Sequence, residues 1–242
     1  MEFDYIKQGD CLELMNEIPD GSIDLIITDP PYKIVAGGCT NKGNMARTGI
    51  LGKNTGAVKK GELFEHNKIK FSEWIPQVYR ILSENSHCYI MVNGRNLCEL
   101  QSECDKVGFI YQNLLVWNKG NLTPNKWYMN QCEFILMLRK GKAKNINNMG
   151  SSTLLNVPNI IGKKVHPTEK PVELISILIE NSSDPGDIVL DPFLGSGTTC
   201  VAAVNTNRHY IGFELDEKYF DIACQRLDEA EERMMYLEEN FG

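Results

Sequence analysis

The stretch Asp187-Ile188-Val189-Leu190-Asp191-Pro192-Phe193-Leu194-Gly195-Ser196-Gly197-Thr198-Thr199 reads as a strand, a turn and the start of a helix. The apolar triplet Ile188 to Leu190 suits a short buried strand, and Pro192 stops it. Gly195 and Gly197 allow a tight turn and a close approach of backbone to a ligand. The helix predicted over Thr198 to Asn205 opens with free N–H groups and the positive end of its dipole. That end suits an anion, including the carboxylate of an amino-acid-like cofactor. No lysine follows the second glycine, so the stretch is not a P-loop; no third glycine follows, so it is not a complete dinucleotide fingerprint. The next apolar run, Tyr210 to Phe213, ends at Glu214. An acid at that position suits the paired hydroxyls of a ribose, although alone it would serve equally as a helix cap. A nucleoside carrying an amino acid satisfies both features, and S-adenosylmethionine is such a molecule.

Working outward, a second strand-and-turn lies near the N-terminus. The run Ile23 to Thr28 is followed by Asp29-Pro30-Pro31-Tyr32. A carboxylate and a proline-segment carbonyl can accept the two N–H bonds of a planar amino group, and a tyrosine face can stack on the ring that bears it. Prolines have no N–H, so they offer carbonyls without competing donors. The same four residues also make an ordinary strand-ending turn, so the tetrapeptide alone does not decide between the two.

The chain has 242 residues, 42% hydrophobic and 24% charged, enough for one large α/β domain. No apolar run approaches a membrane span, and the start, Met1-Glu2-Phe3-Asp4, lacks a signal-peptide pattern. The eight cysteines are scattered with no Cys-x-x-Cys pair, and the four histidines are dispersed. Reduced thiols in a cytoplasmic compartment and no metal site are therefore expected. The net charge of −7 is unevenly distributed. Residues 33–70 carry eight Lys/Arg against two acids, and residues 119–165 carry eight against one. Two basic segments on an acidic body suit a polyanion such as DNA, where a single one would pass for a solvated loop.

Apolar runs alternate with amphipathic stretches, the pattern of a parallel α/β sheet. Strands are predicted at Tyr5 to Lys7, Ile23 to Thr28, Cys88 to Val92, Ile110 to Trp117, Glu133 to Leu138, Ile188 to Leu190 and Tyr210 to Phe213. Helices are predicted at Phe71 to Leu82, Leu97 to Val107, Pro171 to Asn181, Thr198 to Asn205 and Glu217 to Leu237. In the last, Ile222, Leu227, Ala230 and Met234 form the expected buried stripe. Residues 33–70 show no period and are too long for a simple connector, which marks a functional or mobile loop.

A third motif, His166-Pro167-Thr168-Glu169-Lys170-Pro171, precedes one of these helices and offers a hydroxyl and a cation. Asp-Pro-Pro-Tyr, His-Pro-Thr-Glu-Lys-Pro and Asp-Pro-Phe-Leu-Gly-Ser-Gly-Thr-Thr, in that order, resemble the β-group of DNA amino-methyltransferases. The likeness extends to Gly9-Asp10-Cys11-Leu12 and Val116-Trp117-Asn118-Lys119 and covers nearly the whole chain. It implies a Rossmann-like class I methyltransferase fold, circularly permuted, with seven mostly parallel strands. The strand at Tyr5 would lie beside Tyr210, then Ile188, Ile23 and Cys88, with the Glu133 strand antiparallel between Cys88 and Ile110. The whole of 1–242 would be one methyltransferase domain, with residues 119–165 as its target-recognition segment.

The resemblance also assigns roles. Asp29, Pro30, Pro31 and Tyr32 would be catalytic, with Tyr32 stacking on a base flipped out of the duplex. S-adenosylmethionine would be held by Asp10 and Cys11 at the adenine, Glu214 at the ribose and Phe193 beside the adenosine. His166, Thr168, Lys170, Asp191 and the turn Gly195, Ser196, Gly197 and Thr198 would surround the rest. Lys119, Lys126, Arg139 and Lys140 would meet DNA. An Asp in first position favours adenine N6 as the target; cytosine N4, an RNA base, or a catalytically silent DNA-binding relative are the alternatives. The partner implied is double-stranded DNA, and the family also admits a second copy of the chain and a cognate restriction endonuclease. The target sequence is not readable, since no base-contact module stands out.

Overall fold

The computed structural model describes residues 1–31, 69–123, 128–162 and 169–241. The loop predicted over 33–70 therefore lies almost wholly outside the described residues, as do Tyr32, Lys126, His166 and Thr168.

In chain order the elements are β1 (Tyr5–Gln8), α1 (Cys11–Leu14), β2 (Ile23–Thr28), α2 (Phe71–Ile81), β3 (Leu82–Val92), α3 (Leu97–Val107), β4 (Ile110–Thr123) and β5 (Asn130–Arg139). There follow β6 (Leu154–Asn156), α4 (Val172–Ser182), β7 (Ile188–Asp191), α5 (Thr198–Asn205), β8 (His209–Glu214) and α6 (Glu217–Phe241). They build one sheet in the order β1-β8-β7-β2-β3-β5-β4-β6. Every pairing is parallel except those of β5, which runs antiparallel to β3 and β4. The order matches the permuted arrangement over its first seven positions. The eighth strand, β6, was not expected: three residues pair with Val116, Trp117 and Asn118 at the sheet edge. So short a strand carries no period of its own, and backbone pairing alone makes it.

Alternation along each strand distributes side chains to two helical layers. Ile26, Cys88 and Ile90 face α2 and α3, packing with Trp74, Ile75 and Leu100. Leu25, Ile27, Tyr89 and Met91 point the other way, into a core with Leu174, Leu178, Ala202 and Leu227. In α6 the buried stripe is Ala223, Leu227 and Ala230; Ile222 and Met234 are only half-buried. The stripe thus keeps Leu227 and Ala230 but takes Ala223 in place of Ile222, and the small Ala223 lies against the glycine turn.

Several boundaries move for one reason: main-chain pairing continues where side chains turn polar. β3 begins at Leu82 instead of Cys88, because Leu82 pairs with Ile23. β4 runs on to Thr123 and β5 starts at Asn130, so a polar hairpin extends beyond the core. Pro171 caps α4 from just outside it, at φ −61°, its carbonyl accepting from the N–H of Leu174.

The direction of β5 separates the basic residues. Arg139 pairs with His87, and His87 with Leu25, four residues before Asp29. Arg139 and Lys140 thus lie roughly 13 Å down the sheet from the end that carries Asp29. Lys140 is buried, and its Nζ donates to the carbonyls of Tyr79 (2.9 Å) and Leu82 (2.7 Å), capping the end of α2. Arg139 donates to Gln112 Oε1 and the Gly141 carbonyl. Lys140, expected at the DNA, is inside the protein, and the side chains of both residues bond at the end of the sheet away from Asp29. Lys140→Met should leave those carbonyls short of a donor and cost about 2 kcal/mol. Thermal unfolding should fall by roughly 5 °C, with DNA affinity by fluorescence anisotropy unchanged; weaker DNA binding at unchanged stability would restore the original expectation.

No helix among the described residues is long and apolar enough to cross a membrane. The seven cysteines among them are all free thiols.

Candidate active site

The strand order reverses between β2 and β7, which pair through Leu25–Val189 and Ile26–Leu190. A crevice forms at such a switch point, at the carboxyl ends of the strands. Asp29 and the glycine turn meet there although 160 or more residues separate them in sequence.

Asp191 ties the two motifs together. It is 4% exposed. One oxygen accepts from Thr28 Oγ1 at 2.8 Å and from the Phe193 N–H at 3.0 Å, and the other from Thr199 Oγ1 at 2.6 Å. These bonds fix the end of β2, and hence Asp29, against the turn that opens α5. Burial pushes its carboxyl up to about 6, against the lowering effect of the three donors. The unfolded carboxyl titrates near 3.9, so the folded state holds a proton that the unfolded state has already lost between about pH 4 and 6. Stability from this group is therefore gained as pH falls through 6 and absent above it. Relative to Asp191→Asn, the native protein should gain about 1–2 kcal/mol between pH 7.5 and 5. Denaturant titrations at the two pH values check this, and a gap independent of pH would contradict it.

The turn itself is held from three sides. Gly195 and Gly197 have φ of +58° and +85°. The Gly195 N–H donates to Glu214 Oε2 at 2.7 Å and the Asp216 N–H to Glu214 Oε1 at 2.8 Å. Each oxygen keeps a further lone pair for a hydroxyl. Desolvation pushes the Glu214 carboxyl upward. Ser196 and Thr198 are buried. Arg226 of α6 donates to the Ser196 carbonyl (2.6 Å) and Ser196 Oγ (2.9 Å), and pairs with Glu169 at 3.2 Å. Arg226 thereby joins the His-Pro-Thr-Glu-Lys-Pro segment to the glycine turn. Sequence reasoning missed it; the one available signal was a cation next to Leu227 of the expected buried stripe in the last helix. Gly212, also missed, is a glycine inside a strand. A Cβ there would lie 2.8 Å from Leu194 Cδ2 and 3.0 Å from Cys200 Sγ, so β8 leaves room for the turn to fold down on it.

At the neighbouring strand ends, Asp10 caps α1, accepting from the Leu12 N–H at 2.9 Å, and remains exposed. It sits beside Glu214 because Gln8 and Glu214 are paired and the Gly9 N–H donates to the Glu214 carbonyl. Cys11 is buried, and desolvation pushes its thiol up to about 12, which excludes it as a nucleophile at neutral pH. Phe193 packs edge-on against Trp74, with centroids 5.2 Å apart.

Asp29 lies at the end of β2 with Pro30 buried and Pro31 half-buried beside it. Its Oδ2 accepts from Lys170 Nζ. Lys170 also lies 3.6 Å from Glu133 Oε2, and Lys119 donates to Glu133 Oε1 at 3.0 Å. The sequence-derived site residues that are described therefore converge on one end of the sheet, except Arg139 and Lys140.

The donor set fits S-adenosylmethionine. Adenosine carries donors, its amino group and ribose hydroxyls, that match acceptors such as Asp10 and Glu214. The methionyl carboxylate suits the start of α5, where no side chain caps the N–H groups.

The chain matches the family model described as DNA methylase, of the N6/N4 type, over residues 23–225. The chain belongs to the N6/N4 DNA methylase family. This methylase is 33% identical over 258 residues to the type II methyltransferase M.HinfI of Haemophilus influenzae, covering 93% of this chain and 68% of the relative. It is 30% identical over 244 residues to the type II methyltransferase M2.MboI of Moraxella bovis, covering 93% and 87%. Among solved structures, the M1.HpyAVI–SAM complex superposes with a TM-score of 0.68 at 28% identity, over 92% of this methylase and 98% of that chain.

Proposed function

We propose that this DNA methyltransferase moves a methyl group from S-adenosylmethionine to the exocyclic N6 of an adenine flipped out of duplex DNA. The observation that carries the reading is a carboxylate and a proline pair, Asp29-Pro30-Pro31, held by the Thr28–Asp191 bond against the glycine turn. The amino nitrogen of adenine is a poor nucleophile because its lone pair is delocalised into the ring. Asp29 and the Pro30 carbonyl accept its two hydrogens and hold the nitrogen in an orientation where the lone pair points outward. The fixed carboxylate also stabilises positive charge that develops on that nitrogen. Tyr32, next in sequence, is the stacking platform for the extrahelical base.

When bound, the cofactor supplies an electrophilic methyl group on a cationic sulfonium. Asp10 and Glu214 receive the adenosine, with Phe193 beside it, and the Gly195 to Thr198 turn receives the methionyl end. Asp191 and Arg226 position that turn from behind. His166, Thr168 and Lys170 remain assigned to the cofactor by their motif alone, with Lys170 also bonded to Asp29. Residues 119–165, of which 119–123 and 128–162 are described and include β5, β6 and the end of β4, supply the recognition surface. The compartment is the cytoplasm of a bacterium or of a phage's host. A second copy of the chain and a cognate restriction endonuclease are the further partners to test, by light scattering and by co-expression.

Sequencing DNA from cells that express the protein, with detection of modified bases, tests the reading. N6-methyladenine at one short recurring sequence is the expected result. N4-methylcytosine would move the target to the other base of the family, and unmodified DNA from cells making folded protein would overturn the proposal.

A further inference from the structure

Four side chains of alternating charge form a row at the site: Asp29, Lys170, Glu133 and Lys119. Lys170 Nζ is bonded to Asp29 Oδ2 and stands 3.6 Å from Glu133 Oε2, while Lys119 Nζ holds the other oxygen of Glu133 at 3.0 Å. The side chain of Lys170 is only 10% exposed. Burial would push its ammonium down, but the Asp29 and Glu133 carboxylates outweigh that effect and hold it above its ordinary value. Lys170 is thus a cation throughout the neutral range.

An ammonium on Asp29 conflicts with the role of Asp29 as acceptor for a base amino group. It engages one carboxylate oxygen and weakens the carboxylate as an acceptor. It also adds a second positive charge where the sulfonium brings one. Glu133 offers a way out. Its distance of 3.6 Å exceeds a charge-assisted hydrogen bond by only about 1 Å, well within the reach of a flexible lysine stem. Glu133 is itself well placed, because β5 begins at the site end of the sheet and the bond from Lys119 fixes its carboxylate.

We infer that Glu133 is a positioning residue that receives Lys170 when a base amino group docks on Asp29, freeing the acceptor while keeping the local charge balanced. This rests on the reading of Asp29 given above. A purely structural ion pair would look the same at rest, so the test must separate the two.

Glu133→Gln removes the charge and keeps the size. With the duplex whose methylated sequence is identified in cells, single-turnover methyl transfer should slow about tenfold, and duplex affinity measured without cofactor should weaken several-fold. The cofactor dissociation constant from calorimetry should stay within about twofold. In a Lys170→Met background the same change should alter rate and duplex affinity by less than about twofold, since Glu133 acts through the lysine. Glu133→Asp, with the charge restored, should recover most of the loss, and Glu133→Ala carries the same cycle if the Gln variant does not fold. Equal losses in both backgrounds, or no loss in the first, would overturn the inference while leaving Asp29 in its role. Full activity in an Asp29→Ala variant would overturn both.

Discussion

Asp29→Ala is expected to reduce methyl transfer by about 1,000-fold or more while the cofactor still binds within about twofold of the native affinity. The asymmetry follows from the position of the residue. Asp29 lies one residue beyond β2, past the Thr28–Asp191 bond that braces the glycine turn. Removing its carboxylate leaves that brace intact, along with the Gly195–Glu214 and Arg226–Ser196 bonds that shape the cofactor cradle. What is lost is the charged acceptor for the base amino group. Lys170 keeps Glu133 as a partner, so the variant does not strand an ammonium and should fold. Asp29→Asn is expected to fall between the two, since it keeps one acceptor oxygen but brings a donor to face a donor. Tritiated cofactor gives the transfer rate, and calorimetry the cofactor affinity. Full methylation by the alanine variant would remove Asp29 from the mechanism.

Gly197→Val should abolish cofactor binding and destabilise the fold. Gly197 has φ +85°, a region that costs an L-residue about 1–2 kcal/mol and a β-branched one more. Its Cβ would also lie 3.1 Å from both Cα and Cβ of Ala223, so α6 would have to move outward. Overpacking of this kind costs about 1–3 kcal/mol. A combined loss near 3 kcal/mol is a large part of a typical stability and lowers the melting temperature by roughly 6–12 °C. The turn that presents the α5 N–H groups would be displaced, so cofactor affinity should drop at least about 100-fold. Gly197→Ala carries the φ cost with a smaller clash, and its melting temperature should lie between the two. Scanning calorimetry with and without S-adenosylmethionine measures both effects; a valine variant that still gains stability from the cofactor would show that the turn tolerates a side chain.

Much of the candidate site was readable because its motifs are local. A carboxylate followed by two prolines, a glycine pair before a helix start, and an acid at a strand end each declare themselves within a few residues. Buried parallel strands such as Ile23–Thr28 and Ile188–Asp191 are likewise apolar runs that read directly as strands. The elements that were missed or misplaced have no local signature. β6 is three residues of edge pairing. Arg226 reaches the turn only because α6 packs across it, and Gly212 matters only because Leu194 and Cys200 press on it.

The basic residues show the boundary most clearly. By itself, the sequence determined a parallel α/β sheet, an Asp-Pro-Pro turn and a glycine turn each at the end of a strand, and a surplus of cations in residues 119–165. Tertiary structure alone decided what those cations do. β5 runs against its neighbours, so its first residues, with Glu133, stand at the end that carries Asp29, and its last residues sit at the other. Lys119 and Glu133 therefore join Lys170 and Asp29, while Lys140 is buried under the end of α2. Charge composition is a property of the segment, but the partner of each charge is set by strand direction and register, which arise from pairing with residues far away in the chain.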